Sequence, residues 1–183
     1  MKTRIKIIYG SDTGNTEHVL TDVLTPLLEE FDLEVKTVAE ISPEDWATHD
    51  VYIIGVPTWY FGDLQSDWDD YFEEFKKIDF SGKHVAFFGL GDQFGYDEWF
   101  IDGVGILAKA LINNGGKTFA HWPIEGYEFT ESKALIPGKE DHFFGLAIDE
   151  DNQYEQTEDR CTQWVNILKK DLQSIVASLA AQV

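Results

Sequence analysis

Cysteine is nearly absent from this sequence: Cys161 is the only one among 183 residues. Disulfides within the chain, Cys-ligated iron-sulfur clusters and CxxC redox chemistry are thereby excluded, and any redox role requires a bound cofactor. Basic residues are scarce as well. Fourteen Lys and Arg stand against 34 Asp and Glu, a formal net charge of −20, which repels nucleic-acid backbones and anionic membrane surfaces and favours basic protein partners. No segment approaches the roughly 20 apolar residues that cross a bilayer. The basic N-terminal start is followed by only Ile7, Ile8 and Tyr9 as an apolar stretch, too short for a signal-peptide core, so a cytoplasmic protein is expected. The five histidines, His18, His49, His84, His121 and His142, form neither HExxH nor HxxxH. They read as scattered surface residues, not as a metal site.

What the chain does contain suits one globular domain over 1–183, with 43% hydrophobic and 14% aromatic residues. Apolar runs of strand length at 5–9, 51–56 and 85–89 lack alternation, as parallel strands covered on both faces do. The run at 33–37 alternates, as an edge strand can, and 144–148 supplies a fifth. Between them, apolar residues recur at helical spacing: Val19, Leu20, Val23, Leu24 and Leu27; Val104, Leu107, Ala108 and Leu111; Trp164, Leu168, Leu172 and Ile175. This alternation predicts an open, doubly wound α/β sheet of five parallel strands in the order 2-1-3-4-5, with helices on both faces. Pro26 falls inside the first helix, where it should cost ~3 kcal/mol unless the helix kinks. The polar stretch 121–142, with Pro123, Gly126, Pro137 and Gly138, is expected to be a long loop that splits the last strand.

Three loops at the carboxyl ends of strands carry the candidate chemistry. After the first strand come Ser11, Asp12, Thr13, Gly14, Asn15 and Thr16, leading into a helix. Three hydroxyls, an amide and successive backbone N–H groups at a helix N-terminus can wrap a phosphate. The lysine of a nucleotide-hydrolysing P-loop is missing, because Asn15 follows Gly14, and GxGxxG is absent. Neutral donors suit a terminal phosphate monoester, with Asp12 expected to point outward. An ordinary helix cap is the alternative. The second loop, Pro57, Thr58, Trp59, Tyr60, Phe61 and Gly62, and the third, with Leu90, Gly91, Asp92, Tyr96, Trp99 and Phe100, are rich in glycine and aromatics. One aromatic from each could cover the two faces of a planar ring; membership of the core or of a protein interface is the alternative.

In these segments the sequence resembles the long-chain flavodoxins. The matching motifs are GSDTGNT at 10–16, PTW at 57–59, FGDLQSDW at 61–68, GLGDQFGY at 89–96, EGYEF at 125–129, SKAL at 132–135 and GLAIDEDNQ at 145–153. The insertion at 121–142 corresponds to the feature that separates long-chain from short-chain members. DEWF at 97–100 looks like the second bacterial type, flavodoxin B. The resemblance implies one noncovalently bound flavin mononucleotide (FMN), with residues 11–16 and Thr58 on its phosphate and Trp59 and Tyr96 stacked on the isoalloxazine. It further implies Asp92 and the backbone of Leu90 and Gly91 at the pyrimidine edge, and Asp151 at the ribityl chain. In such sheets the ligand sits where strand order reverses, a rule for which flavodoxin itself is a standing example. Tyr60 and Trp99 stand where many members carry asparagine, which puts the usual redox behaviour in question.

The implied function is a low-potential one-electron carrier, not an autonomous enzyme, that works as a monomer between a basic-faced flavodoxin/ferredoxin NADP reductase and acceptor enzymes. The acids Asp63, Asp67, Asp69, Asp70, Asp92, Asp97, Glu98 and Asp102 would disfavour added negative charge on the ring by ~0.4 kcal/mol each at 10 Å. They would also form the docking face. Family resemblance implies that a peptide of the second loop, here 60–61, turns on reduction; without glycine there, conformations at positive φ are costly. Two rivals share the layout. A quinone reductase of related fold would need a nicotinamide site, for which no fingerprint is present, and a receiver domain would need an aspartate where Pro57 and Thr58 stand.

Overall fold

The computed structural model describes residues 2–181. Its spine is a parallel sheet built from the unalternating apolar runs: β1 (Arg4–Tyr9), β2 (Asp32–Thr37), β3 (Val51–Trp59), β5 (His84–Leu90) and β10 (Gly145–Ile148), in the order β10-β5-β3-β1-β2. In chain order these five are 2-1-3-4-5, as the sequence predicts. Residues 51–57 of β3 and 85–90 of β5 are buried, because helices cover both faces and leave no side of the central strands for water.

The first helix is continuous over 15–27 but not uniform. An α-helical turn, α1 (Asn15–His18), widens into a π-helix (Val19–Leu24) and closes in α2 (Thr25–Leu27). Proline explains the widening: Pro26 has no N–H to give, and its ring would collide with the carbonyl four residues back. Wider winding moves that carbonyl aside, and Thr25 uses both its N–H and its hydroxyl on the Leu20 carbonyl, the latter at 2.8 Å. Two short 3-10 turns (Val38–Glu40 and Pro43–Ala47) lead into β3. A two-residue strand, β4 (Asp63–Leu64), folds back on the end of β3, and α3 (Ser66–Phe75), α4 (Asp102–Asn113) and α5 (Thr157–Ala180) complete the layers.

Both halves of the split last strand lie along one edge of β5: β6 (Lys117–Thr118) pairs with its start and β10 with its end. The stretch between them is not the plain loop that its polarity suggests. It forms a second, antiparallel sheet of β7 (Trp122–Pro123), β9 (Lys139–Phe143) and β8 (Leu135–Ile136). Phe129 and Phe143 pack on Phe100, joining this small sheet to the main core.

Two residues are more enclosed than composition suggests. His49 is 5% exposed and packs beside Glu34, so it is not a surface histidine. Cys161 is fully buried, and burial together with the nearby Glu150 and Glu158 charges pushes its thiol up to about 12, far from a reactive thiolate. Among the described residues no helix is long and apolar enough to cross a membrane.

Candidate functional site

The strand order reverses between β1 and β3, and the loops after their carboxyl ends, with those after β5 and β10, surround one cleft. The space between these loops, counted out to the open mouth, is about 810 Å³. Ser11, Asp12, Thr13, Asn15, Thr16, Pro57, Thr58, Trp59, Tyr60, Leu90, Gly91, Asp92, Tyr96, Trp99 and Asp151 all line it. Thus three loops far apart in the chain meet as the sequence suggests. Gly14, Phe61, Gly62 and Phe100 do not line the cleft, and Glu150, which sequence reasoning passed over, does.

The 11–16 loop is shaped by Gly14, whose φ of 91° is the left-handed conformation that a glycine adopts without strain. Its N–H bonds the Ser11 hydroxyl at 3.1 Å, and its carbonyl accepts the first helical bond from His18. The first-turn N–H groups of the helix have no partner within it and are free for an anion. The Asp12 carboxylate accepts from Ser66 Oγ at 2.9 Å and Gln65 Nε2 at 2.8 Å. It is thereby tied to the start of α3.

In the second loop, Trp59 lines the cleft with an indole Nε1 that is buried and has no hydrogen-bond partner among the described residues. A buried donor without an acceptor costs roughly 1–3 kcal/mol, and an acceptor on a bound molecule would remove that cost. Tyr60 is 61% exposed at the mouth and sits at φ 45°, left-handed and strained for a tyrosine. Gly62 turns the chain at φ 89°; a side chain there would press on Trp99 and on Asp102 Oδ2. Phe61 lies outside the cleft, 69% exposed, its ring edge-on to Trp99 at 5.0 Å and to Tyr96 at 6.3 Å. The Thr58 hydroxyl accepts from the Gly103 N–H at 2.9 Å. Its oxygen is thus engaged with α4, while the hydroxyl proton stays available, and Thr58 forms part of the wall.

The third loop is closed by Asp92, which accepts from the N–H groups of Phe94 and Gly95 at 3.0 and 2.7 Å and from Asn152 Nδ2 at 2.8 Å. Burial works against its charge, but these donors outweigh it and hold the carboxyl below its usual range. Behind the loop, Phe100 is buried and Ile101 adopts φ 49°, an outlier for a β-branched residue. Both crowd Gly91, where a Cβ would lie within 3.2 Å of each residue. Phe100 therefore supports the wall instead of forming it. Asp151 is pushed above its usual range by burial and by the charges of Asp92, Asp149 and Glu150.

Asp102 differs from the free acid that its sequence position suggests. It is 1% exposed, accepts the Lys133 N–H at 2.7 Å and pairs with Lys133 Nζ at 3.0 Å. Its charge is neutralised locally and ties the inserted sheet to the start of α4.

No lysine, arginine or histidine lines the cleft. Its donors are neutral groups, Asp92, Glu150 and Asp151 supply carboxylate acceptors from the loops after β5 and β10, and Trp59, Tyr60, Tyr96 and Trp99 make it aromatic. That pattern fits a phosphate monoester joined through hydroxyls to a flat ring, and the orphaned Trp59 donor independently calls for an acceptor.

Comparisons with known proteins agree with this chemistry. The flavodoxin family profile matches residues 7–164. A flavodoxin of Klebsiella pneumoniae is 44% identical over 168 residues, covering 92% of this chain and 94% of that protein. A flavodoxin of Synechocystis is 44% identical over 172 residues, 94% and 99% respectively. Among solved structures, Fusobacterium nucleatum flavodoxin bound to flavin mononucleotide superposes with a TM-score of 0.85 at 30% identity, over 93% of this chain and 99% of that one.

Proposed function

The chain belongs to the flavodoxin family, and from that premise we propose that it relays single electrons between larger redox proteins on one FMN held in the cleft described above. The observation that carries this reading is the meeting, in one cleft, of a lysine-free anion loop, aromatics from two other loops and an unpartnered Trp59 donor.

FMN, when bound, would supply a redox-active group that accepts and releases electrons singly. The residues of the chain do the rest. The hydroxyls of Ser11, Thr13 and Thr16, the Asn15 amide and the first-turn N–H groups of α1 take the phosphate, aided by the helix dipole. Trp59 and Tyr96 would hold the ring by stacking, which contributes roughly 0.5–1.5 kcal/mol per pair beyond area burial. The backbone of Leu90 and Gly91, with Asp92, meets the polar edge of the ring. Glu150 and Asp151 accept from the sugar-alcohol hydroxyls. Tyr60 and Trp99 narrow the mouth and limit water at the ring.

The face around the mouth favours a basic partner. Asp63 and Asp69 are exposed and line one depression with Tyr60, and the exposed Glu98 lies beside Trp99. Phe61 and Phe94, 69% and 55% exposed, give that face an apolar centre. Such a surface speeds encounter without requiring a tight complex, which suits a flavodoxin/ferredoxin NADP reductase as donor and redox enzymes as acceptors. We take residues 1–183 as one FMN-binding domain acting as a cytoplasmic monomer. The inserted sheet supports the long-chain division, and the DEWF motif points to its second bacterial type.

Electrons need only reach the ring at the cleft mouth, so no side chain has to act as nucleophile or general base. Purified protein mixed with NADPH and a quinone should therefore consume no NADPH until a basic-faced reductase is added. Steady NADPH oxidation by the protein alone would replace the carrier reading with that of an enzyme.

A further inference from the structure

A neutral anion loop that contains an aspartate needs something to keep that carboxylate off the anion. We propose that Gln65 is a positioning residue that latches Asp12 away from the phosphate, an inference that rests on the FMN reading above. Gln65 lies at the N-cap of α3 and is fully buried. Its carboxamide oxygen accepts the Trp68 N–H at 3.3 Å and so caps the helix. Its nitrogen has two protons to give and uses them on two carboxylates, Asp12 at 2.8 Å and Asp67 at 2.9 Å. It also lies 3.3 Å from Ser66 Oγ, which itself donates to Asp12 at 2.9 Å.

The residue before the loop is shaped to admit this side chain. A Cβ on Gly10 would lie 2.0 Å from Gln65 Oε1 and 2.8 Å from Trp68, so only glycine lets Gln65 reach across to Asp12. The amide thus spans the seam between the end of β1 and the start of α3. The Asp12 carboxylate is drawn toward the N-terminus of α3, where the helix dipole also favours a negative charge. Glutamine suits this position because it accepts at one end, to cap the helix, and donates at the other, to hold the acid. Glutamate could do only the first, and its charge would drive Asp12 from the seam toward the loop.

The test compares two ligands that differ only in the phosphate: FMN and riboflavin, titrated into apoprotein with far-UV circular dichroism as the check on folding. Gln65→Glu should weaken FMN on the order of tenfold, by turning a carboxylate toward the phosphate, and leave riboflavin affinity within about twofold. Adding Asp12→Asn to that variant should restore FMN affinity, since an asparagine can donate to the introduced carboxylate and no longer repels the anion. Should Gln65→Glu fail to fold, Gln65→Met, of similar length and volume but with no donor, carries the same comparison. Equal weakening of both ligands, or failure of Asp12→Asn to restore FMN binding, overturns the latch while leaving the cofactor reading intact. Wild-type protein that binds neither ligand overturns both.

Discussion

Gln93 and Asp149, 56 residues apart, lock the loop after β5 to the loop after β10: the carboxylate of Asp149 accepts Gln93 Nε2 at 2.7 Å and the Gln93 N–H at 3.2 Å. Both residues are buried. Asp149 also accepts the Asn152 N–H at 3.0 Å, and Asn152 reaches on to Asp92. The loop after β5 and the loop bearing Glu150 and Asp151 are therefore one hydrogen-bonded unit.

Asp149→Ala leaves the two buried donors of Gln93 without an acceptor, each at roughly 1–3 kcal/mol before relaxation, and also removes the acceptor of the part-buried Asn152 N–H. We expect a loss of about 2–4 kcal/mol in urea unfolding and weaker FMN binding, with Asp149→Asn losing less. Equal stability of Asp149→Ala and wild type would show that the two loops are held by other contacts.

A second buried cluster sets the acid limit of stability. Asp45 accepts from Lys6 Nζ at 2.6 Å, Lys36 Nζ at 2.7 Å and the Ser42 N–H at 2.9 Å, and Lys6 is 1% exposed. Burial raises the Asp45 carboxyl, but the bonds from Lys36, Lys6 and Ser42 win and hold it well below the usual carboxylate range. A carboxylate depressed in the folded state adds stability above its unfolded value of about 4 and loses it as pH falls through the folded value. Asp45→Asn should cost roughly 3 kcal/mol at pH 7, and its deficit against wild type should shrink below about pH 4. A deficit unchanged between pH 7 and pH 3 would contradict the assignment.

Tyr60 occupies φ 45° in a loop whose side chain is largely in water, so little packing compensates its strain. Tyr60→Gly removes a penalty of roughly 1–2 kcal/mol and frees the 60–61 peptide to turn. A potentiometric titration should find the two one-electron steps of the bound flavin further apart in Tyr60→Gly than in wild type. Equal or smaller separation in the variant would reject a role for this peptide.

The sheet was legible because strands buried on both faces read as unbroken apolar runs, as at 51–56 and 85–89. The inserted sheet was not. Its strands are two to five residues long, and β9 reads KEDHF, a polar sequence whose pairing comes from neighbours rather than from pattern. The π-helical stretch was announced only by Pro26. At the site, the loops stood out through glycine and aromatic density, which is local. Gln65 and Asp149 lie inside matched motifs, at 61–68 and 145–153, but their roles were not legible, because their partners lie 53 and 56 residues away. Phe100 and Thr58 lie in motif segments as well, and there the structure turns the ring into the core and engages the hydroxyl oxygen with α4.

Everything at the site depends on a lysine-free cleft that binds a phosphorylated flavin between Trp59 and Tyr96, and fluorescence titration of apoprotein with FMN decides whether it does. Flavin emission should be quenched to a sharp 1:1 end point, with Trp59→Ala and Tyr96→Ala each weakening binding by about tenfold or more. Emission that stays unquenched at equimolar protein, or both alanine variants binding FMN as tightly as wild type, would contradict it.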